Sequence, residues 1–348
     1  MTVTGHGAAI GRLEELEVEL VDGDDDALRR IERALRAAGA LDADERPKLF
    51  QALGLVRPPP RRPKRTAAPS EHLVAMLEQQ YQTILVRDPG TRLGSDAEDL
   101  HQHRVAIRRL RALLRAARPM LDAGWVREVR AELAWAGRAL GDVRDLDVLL
   151  DHLRSDAAAL DDRERRAFDD LLEQLAARRT VARRTLRADL RLARYIRLLD
   201  RLEGELRAPP TIDRPVALRE IAGAEHRRLR KQMRALGDEP ADDALHAARI
   251  AVKRARYAAE LAEGTVGGTA GRYIEAAKSL QDVLGEHQDA TVAEQMIRDL
   301  LDSATESSLP AALAAGMLIE RQRERRRDAR SAVPAAWRRL EARARIWR

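Results

Sequence analysis

The sequence predicts an all-α protein with an internal duplication, two copies of one helical bundle related by a pseudo-two-fold axis, behind a short N-terminal strand and helix. Three observations predict it. Ala, Leu, Arg and Glu dominate, with 3% aromatic and 34% charged residues, a mixture that favours long helices over sheets. From Ser70 onward every long segment carries apolar residues at helical spacing. Two pairs of segments also match each other at almost the same offset.

The chain has 348 residues, 45% of them hydrophobic, enough to bury a core. Its net charge is +6, from 58 Arg and 5 Lys against 57 acidic residues. GC-rich codon usage accounts for the excess of Arg, so the placement of the basic residues carries the information and their number does not. There is no cysteine, which excludes disulfides, thiolate metal sites and cysteine nucleophiles. No basic-then-apolar leader opens the sequence, and no apolar run reaches the roughly 18 residues of a membrane span. A soluble cytoplasmic protein with no membrane partner is the expectation.

Residues 1–54 are acidic. Leu13 to Val21 largely alternates apolar and acidic residues, which predicts a strand with one wet face. Asp24 to Asp26 offer a helix cap, Leu28, Ile31, Leu35 and Ala38 recur at helical spacing, and Gly39 is a plausible C-terminal stop. Residues 55–69 form a linker whose RPPPRRPKR stretch, residues 57–65, is a stiff spacer with five basic groups. Helices are predicted near 70–87, 97–121, 125–140, 145–158, 162–190 and 193–206. A second set follows near 214–236, 241–263, 267–284, 287–303, 309–331 and 334–346. The breaks are placed at Asp88-Pro89-Gly90, Gly124, Gly141, Pro209-Pro210, Gly237 to Pro240, Gly267-Gly268 and Pro310. No second strand is evident.

LHQHRVAIRRLRALL from Leu100 matches LHAARIAVKRARYAA from Leu245 at a shift of 145. His101 meets His246, Arg104 meets Arg249, Arg108 meets Lys253, Arg109 meets Arg254 and Arg111 meets Arg256. Downstream, LGDVRDLDV from Leu140 matches LGEHQDATV from Leu284 at a shift of 144. The region 70–348 therefore reads as a duplicated helical domain, with halves about 70–208 and 211–348.

On a helical wheel His101, Arg104, Arg108, Arg111 and Arg115 fall within an arc of roughly 80°. Leu100, Ile107, Leu110, Leu114 and Ala117 occupy a separate apolar arc, and Arg109 lies off the basic stripe. The second copy repeats the stripe with His246, Arg249, Lys253 and Arg256, but Glu260 stands where the first has Arg115. Residues 100–121 contain six Arg and no acidic residue. Like charges on one helix repel, so they need acids from other helices or an external anion. A solvated face laced by local ion pairs is the competing explanation, and the shortage of local acids weighs against it.

No HExxH or close His–carboxylate cluster suggests a metal site, and GxxxxGK[ST] is absent. Asp145 and Asp289 are read as helix caps or partners of a stripe arginine. Nothing nearby supplies the nucleophile, metal or second acid that a catalytic role would need. No catalytic residue, metal or cofactor is expected.

With these motifs in order over both halves, the chain from about residue 70 onward resembles the CHAD family, the conserved-histidine α-helical domains. The resemblance implies two antiparallel four-helix-type bundles around a basic central cavity that binds inorganic polyphosphate, and association with polyphosphate granules. Carried over by position, His101 and His246 are the name-giving histidines, and Arg104, Arg108, Arg109, Arg111, Arg249, Lys253, Arg254 and Arg256 are the basic lining. Lys278 matches a further basic family position, although Ala134 stands at its place in the first half. Residues 13–40 resemble the last strand and helix of a CYTH (triphosphate tunnel) domain. Glu15, Glu17 and Glu19 would be metal ligands in a complete tunnel. With a single strand there is no tunnel, and no triphosphatase activity is expected.

Two functional classes use such a surface. A polyphosphate-binding module suits it because polyphosphate is a flexible chain with about one charge per phosphate, and Arg binds such oxygens bidentately while staying charged. The alternative is a nucleic-acid-binding helical protein. Bases need stacking platforms, and Tyr257 is the only aromatic residue beside a stripe, so the sequence favours polyphosphate.

Overall fold

In a computed structural model the chain divides into two compact units, residues 1–60 and 61–348. The structure describes all residues except 1, 6–7, 13–15, 17, 19–24, 42–60, 95, 213–215, 238, 304–308 and 348.

In the first unit, β1 (Thr2–Gly5) and β2 (Ala8–Arg12) pair antiparallel, with an irregularity between Val3 and Thr4. This hairpin corrects the expectation of one strand and no second. The predicted strand at Leu13–Val21 lies outside the described residues apart from Leu16 and Val18, and neither of those is in a strand. Helix α1 (Asp25–Ala37) follows. It ends near Gly39, whose φ of 99° is left-handed backbone that glycine adopts without strain.

The described residues of the second unit are all-α: α2 (Pro69–Leu93), α3 (Ala97–Ala116), α4 (Ala123–Ala157), α5 (Asp162–Asp189) and α6 (Ala193–Glu205). Then come α7 (Leu218–Arg234), α8 (Asp242–Val266), α9 (Gly268–Ser303) and α10 (Leu309–Arg343). Local chemistry sets several ends. Asp96 accepts from the Glu98 amide at the start of α3, Asp122 from Trp125 at α4, and Asp161 from Arg163 and Glu164 at α5. Gly94 closes α2 in the left-handed conformation.

Two of these breaks and two gaps between predicted helices are not interruptions. α2 runs through Asp88-Pro89-Gly90 and α4 through Gly141, while α9 is continuous across 285–286 and α10 across 332–333. Tertiary packing overrides the weak local preference at each place. Gly90 also has a steric reason to be glycine: a Cβ there would collide with the Asp99 carboxylate of α3. Asp99 itself is held by Arg87 of α2 at 2.9 Å.

Two hydrophobic cores result. The larger gathers α2, α3, α6, α7, α8, the first parts of α4 and α9, the end of α5 and the last turns of α10. The smaller joins the far end of α4, the start of α5, the far end of α9 and the start of α10. Each core draws helices from both repeats, so burial does not follow the boundary between them. α3 and α8, the carriers of the two basic stripes, pack directly on each other.

Candidate anion-binding site

α3 and α8 bring their basic residues to one open cavity of about 180 Å³. Arg108, Arg111 and Arg115 enter from α3, Lys253 and Arg254 from α8, and Arg130 from α4. Ala112, Ala116, Ile250 and Tyr257 form its apolar part, and Glu225 of α7 is its one acid. The Nε atoms of Arg108 and Arg111 are buried without a hydrogen-bond partner. A buried, unpaired donor costs stability unless an acceptor arrives.

The next stretch of the stripes is paired to acids. Arg104 Nη2 lies 2.9 Å from Asp145 Oδ1 on α4, and Arg249 Nη2 lies 4.0 Å from Asp289 Oδ1 on α9. Gly141 and Gly285 lie beside the same two arginines: a Cβ on either would sit 3.6 and 3.7 Å from the nearest guanidinium nitrogen, in ordinary van der Waals contact. Asp145 and Asp289 on the long helices thus hold the stripe arginines in place by charge.

His101 is half-buried, and burial followed by Arg144 pushes its pKa down, with Glu98 opposing. His246 is exposed, with Nδ1 2.6 Å from Gln288 Oε1. Arg109 Nη2 donates to Glu260 Oε2 at 3.2 Å, and Arg256 Nε lies 3.4 Å from the other Glu260 oxygen. Arg256 also stacks over the Tyr257 ring, 4.6 Å from its centroid. These two arginines are therefore committed to a buried carboxylate. Lys278 donates to Glu275 on its own helix at 2.6 Å and does not line the cavity.

The electrostatics express crowding. Burial lowers the Arg104, Arg111, Arg115 and Arg130 pKa values, and neighbouring arginines add to it in each case. Lys253 responds most, down to about 7, through burial first and then Arg249, Arg108 and Arg104, with Asp289 opposing. Such a site repels protons and attracts anions. Among the described residues, no group of three or more His, Asp or Glu is placed to hold a metal ion.

Sequence reasoning missed Arg130 and Glu225. A signal for Arg130 existed: it precedes Gly137, Gly141 and Asp145 by 7, 11 and 15 residues, which puts it on their helix face. Glu225 sits in a helix without a matched motif. The buried His103 lies off the basic arc, and helical spacing assigns it no partner. With its proton on Nε2 it donates to the Tyr195 hydroxyl at 3.1 Å, which donates to Asp88 at 2.9 Å. His226 similarly meets Tyr273 at 3.0 Å and Glu341 at 3.1 Å. These are core-fastening networks and not parts of the cavity.

Fold and site together define a helical domain built around a concentrated positive charge. The CHAD family model matches residues 75–298, and the chain belongs to the CHAD domain family. Two Mycobacterium tuberculosis proteins, MT2285 of strain CDC 1551 and Rv2226 of strain H37Rv, are each 33% identical over 97% of this chain. The chain spans 66% of the length of these relatives. Among solved structures, the CHAD domain from the plant Ricinus communis is 28% identical with a TM-score of 0.66, covering 81% of this chain and 95% of that one. PptA from Streptomyces chartreusis shares the fold at 24% identity with a TM-score of 0.67, covering 78% of this chain and all of that one.

Proposed function

We propose that this protein binds inorganic polyphosphate, without turning it over, in the basic cavity between α3 and α8. The observation that carries the reading is the convergence of Arg108, Arg111 and Lys253 from two helices on one open cavity. A linear polyanion supplies acceptors at several points along such a track, which one small anion cannot do. Arg104, Arg249, His101 and His246 extend the track, whereas Arg109 and Arg256 brace its walls through Glu260. The apolar floor offers little for stacking bases, which weighs against the nucleic-acid alternative. No described helix is long and apolar enough to cross a membrane, and we place the protein in the cytoplasm with polyphosphate granules. Residues 13–40 we read as the end of a CYTH-like segment.

The test is isothermal titration of the full chain with linear polyphosphate. The triple variant Arg108→Ala/Arg111→Ala/Lys253→Ala is expected to lose binding at least 100-fold, on the order of 1 kcal/mol per charged contact removed. Its helical circular dichroism should match the parent's, because these side chains lie off the apolar face. Unchanged affinity would defeat the proposal. So would displacement of polyphosphate by duplex DNA at equal phosphate concentration, or phosphate release from triphosphate with Mg²⁺ that the triple variant loses.

A further inference from the structure

Lys253 stands apart from the other basic groups of the cavity. It is the one amine among guanidinium groups, and it is half-buried. It shares the cavity with Arg108 of α3 and feels Arg104 of α3 and Arg249 of its own helix, while Asp289 of α9 is the acid that opposes them. Asp289 is itself turned toward Arg249 at 4.0 Å. The chain has four other lysines: Lys48, Lys64, Lys231 and Lys278. Of these, Lys278 is held by Glu275 in the ordinary way of surface ammonium groups.

We infer that Lys253 is a covalent modification site, acylated by acyl phosphates that the surrounding guanidinium groups draw into the cavity. An amine crowded by fixed positive charge gives up its proton and becomes a nucleophile, a device enzymes use for catalytic lysines. An acyl phosphate brings an electrophilic carbonyl bonded to a dianionic phosphate. Arg108 and Arg111 line the cavity, and their guanidinium groups stabilise that phosphate as it leaves. The Nζ lone pair attacks the acyl carbon, an N–C bond forms and the C–O bond to phosphate breaks. Inorganic phosphate departs with the electron pair, and the amine proton passes to it or to water. The product is a neutral amide, so the cavity loses the charge it could have gained at Lys253. Acylation would thereby lower the affinity of the same cavity for any polyanion.

The inference goes beyond the polyphosphate reading, because ligand-free protein suffices to test it. The full chain is incubated with acetyl phosphate at pH 7.5, and acetylation of each lysine is followed by peptide mass spectrometry. At that pH an amine of pKa about 7 has roughly 10³ times the unprotonated fraction of an ordinary lysine. Its lower basicity costs about 10^1.5 in intrinsic reactivity if amines follow the thiol relationship. Lys253 should therefore react on the order of tenfold faster than Lys231 and Lys278. A parallel reaction with a neutral acyl donor, the N-hydroxysuccinimide ester of acetic acid, separates the two causes. Preference for Lys253 should be larger with acetyl phosphate, and Arg108→Ala should reduce that excess. Lys253 reacting no faster than Lys231 and Lys278 would overturn the inference. Equal preference with both donors would remove the guanidinium groups from it. Polyphosphate titration of the unmodified protein is read separately, so either proposal can fail while the other stands.

Discussion

Arg109 on α3 donates to Glu260 on α8 across 3.2 Å, joining two residues 151 positions apart. Glu260 is 8% exposed and sits where the repeat alignment has Arg115 in the first copy. Arg115 thus adds charge to the cavity, whereas Glu260 braces the helix pair that forms it. Replacing Glu260 by Gln should lower stability by about 1–3 kcal/mol, less than a fully buried pair because Arg109 remains partly solvated. The same change removes a negative charge beside the site, so polyanion affinity should rise. Urea unfolding and titration calorimetry on one protein sample check both signs.

Gly285 faces Arg249 with ordinary van der Waals room for one methyl group. Gly285→Ala should therefore stabilise α9 by about 0.5–1 kcal/mol through helix propensity, with binding unchanged. Gly285→Leu should displace the Arg249 guanidinium and weaken polyanion binding several-fold. Thermal melts and titrations of the two variants distinguish space from propensity.

Lys253 titrates at about 7 in the free protein. A bound anion favours its charged form, so binding takes up a proton above that pH, and affinity should rise as pH falls from 9 to 6.5. Long polyphosphate is the ligand to use, since its internal groups do not titrate in that window. Calorimetry in two buffers of different ionisation enthalpy measures the uptake, and Lys253→Arg should abolish it.

His103 is fully buried and its pKa is lowered to about 4, chiefly by burial. The unfolded chain, with an ordinary histidine near 6.5, binds more protons between those values. Stability therefore falls as pH drops from 6.5 to 4, by on the order of 3 kcal/mol in total. Urea melts at pH 7 and pH 4.5 should show the loss, and His103→Gln should flatten that part of the curve.

Polyphosphate affinity should fall steeply with salt, with a log–log slope of roughly −0.7 to −0.9 for each phosphate neutralised. If six stripe groups engage, the loss is about 10³-fold between roughly 50 and 200 mM salt. The triple cavity variant should show a shallower slope by two to three contacts.

Much of the fold and of the cavity is legible in the amino-acid sequence alone. The all-α class follows from composition and period, and the stripe from His101 to Arg115 follows from spacing. Where sequence and fold part company, the residues have two possible meanings. Gly141 and Gly285 look like helix ends, yet α4 and α9 run through them beside Arg104 and Arg249. Pro89 and Gly90 look like a turn, yet Gly90 lets two helices touch. A single chain does not reveal which neighbour presses on a glycine. Nor does helical spacing on α3 and α8 reveal that Glu260 captures Arg109 and Arg256, because that pairing exists only once the two helices cross.

The smaller core leaves a mark on what this architecture permits. α4 spans 35 residues, about 52 Å at 1.5 Å per residue, and only its first half helps to form the cavity walls. Beyond Asp145 it runs with α5, α9 and α10 into a separate apolar cluster. That end behaves like the handle of a tool whose working edge lies elsewhere. Adding or removing matched turns in the four helices would alter how far the handle reaches while leaving the working edge unchanged. The reach of the handle and the chemistry of the working edge can therefore be varied independently.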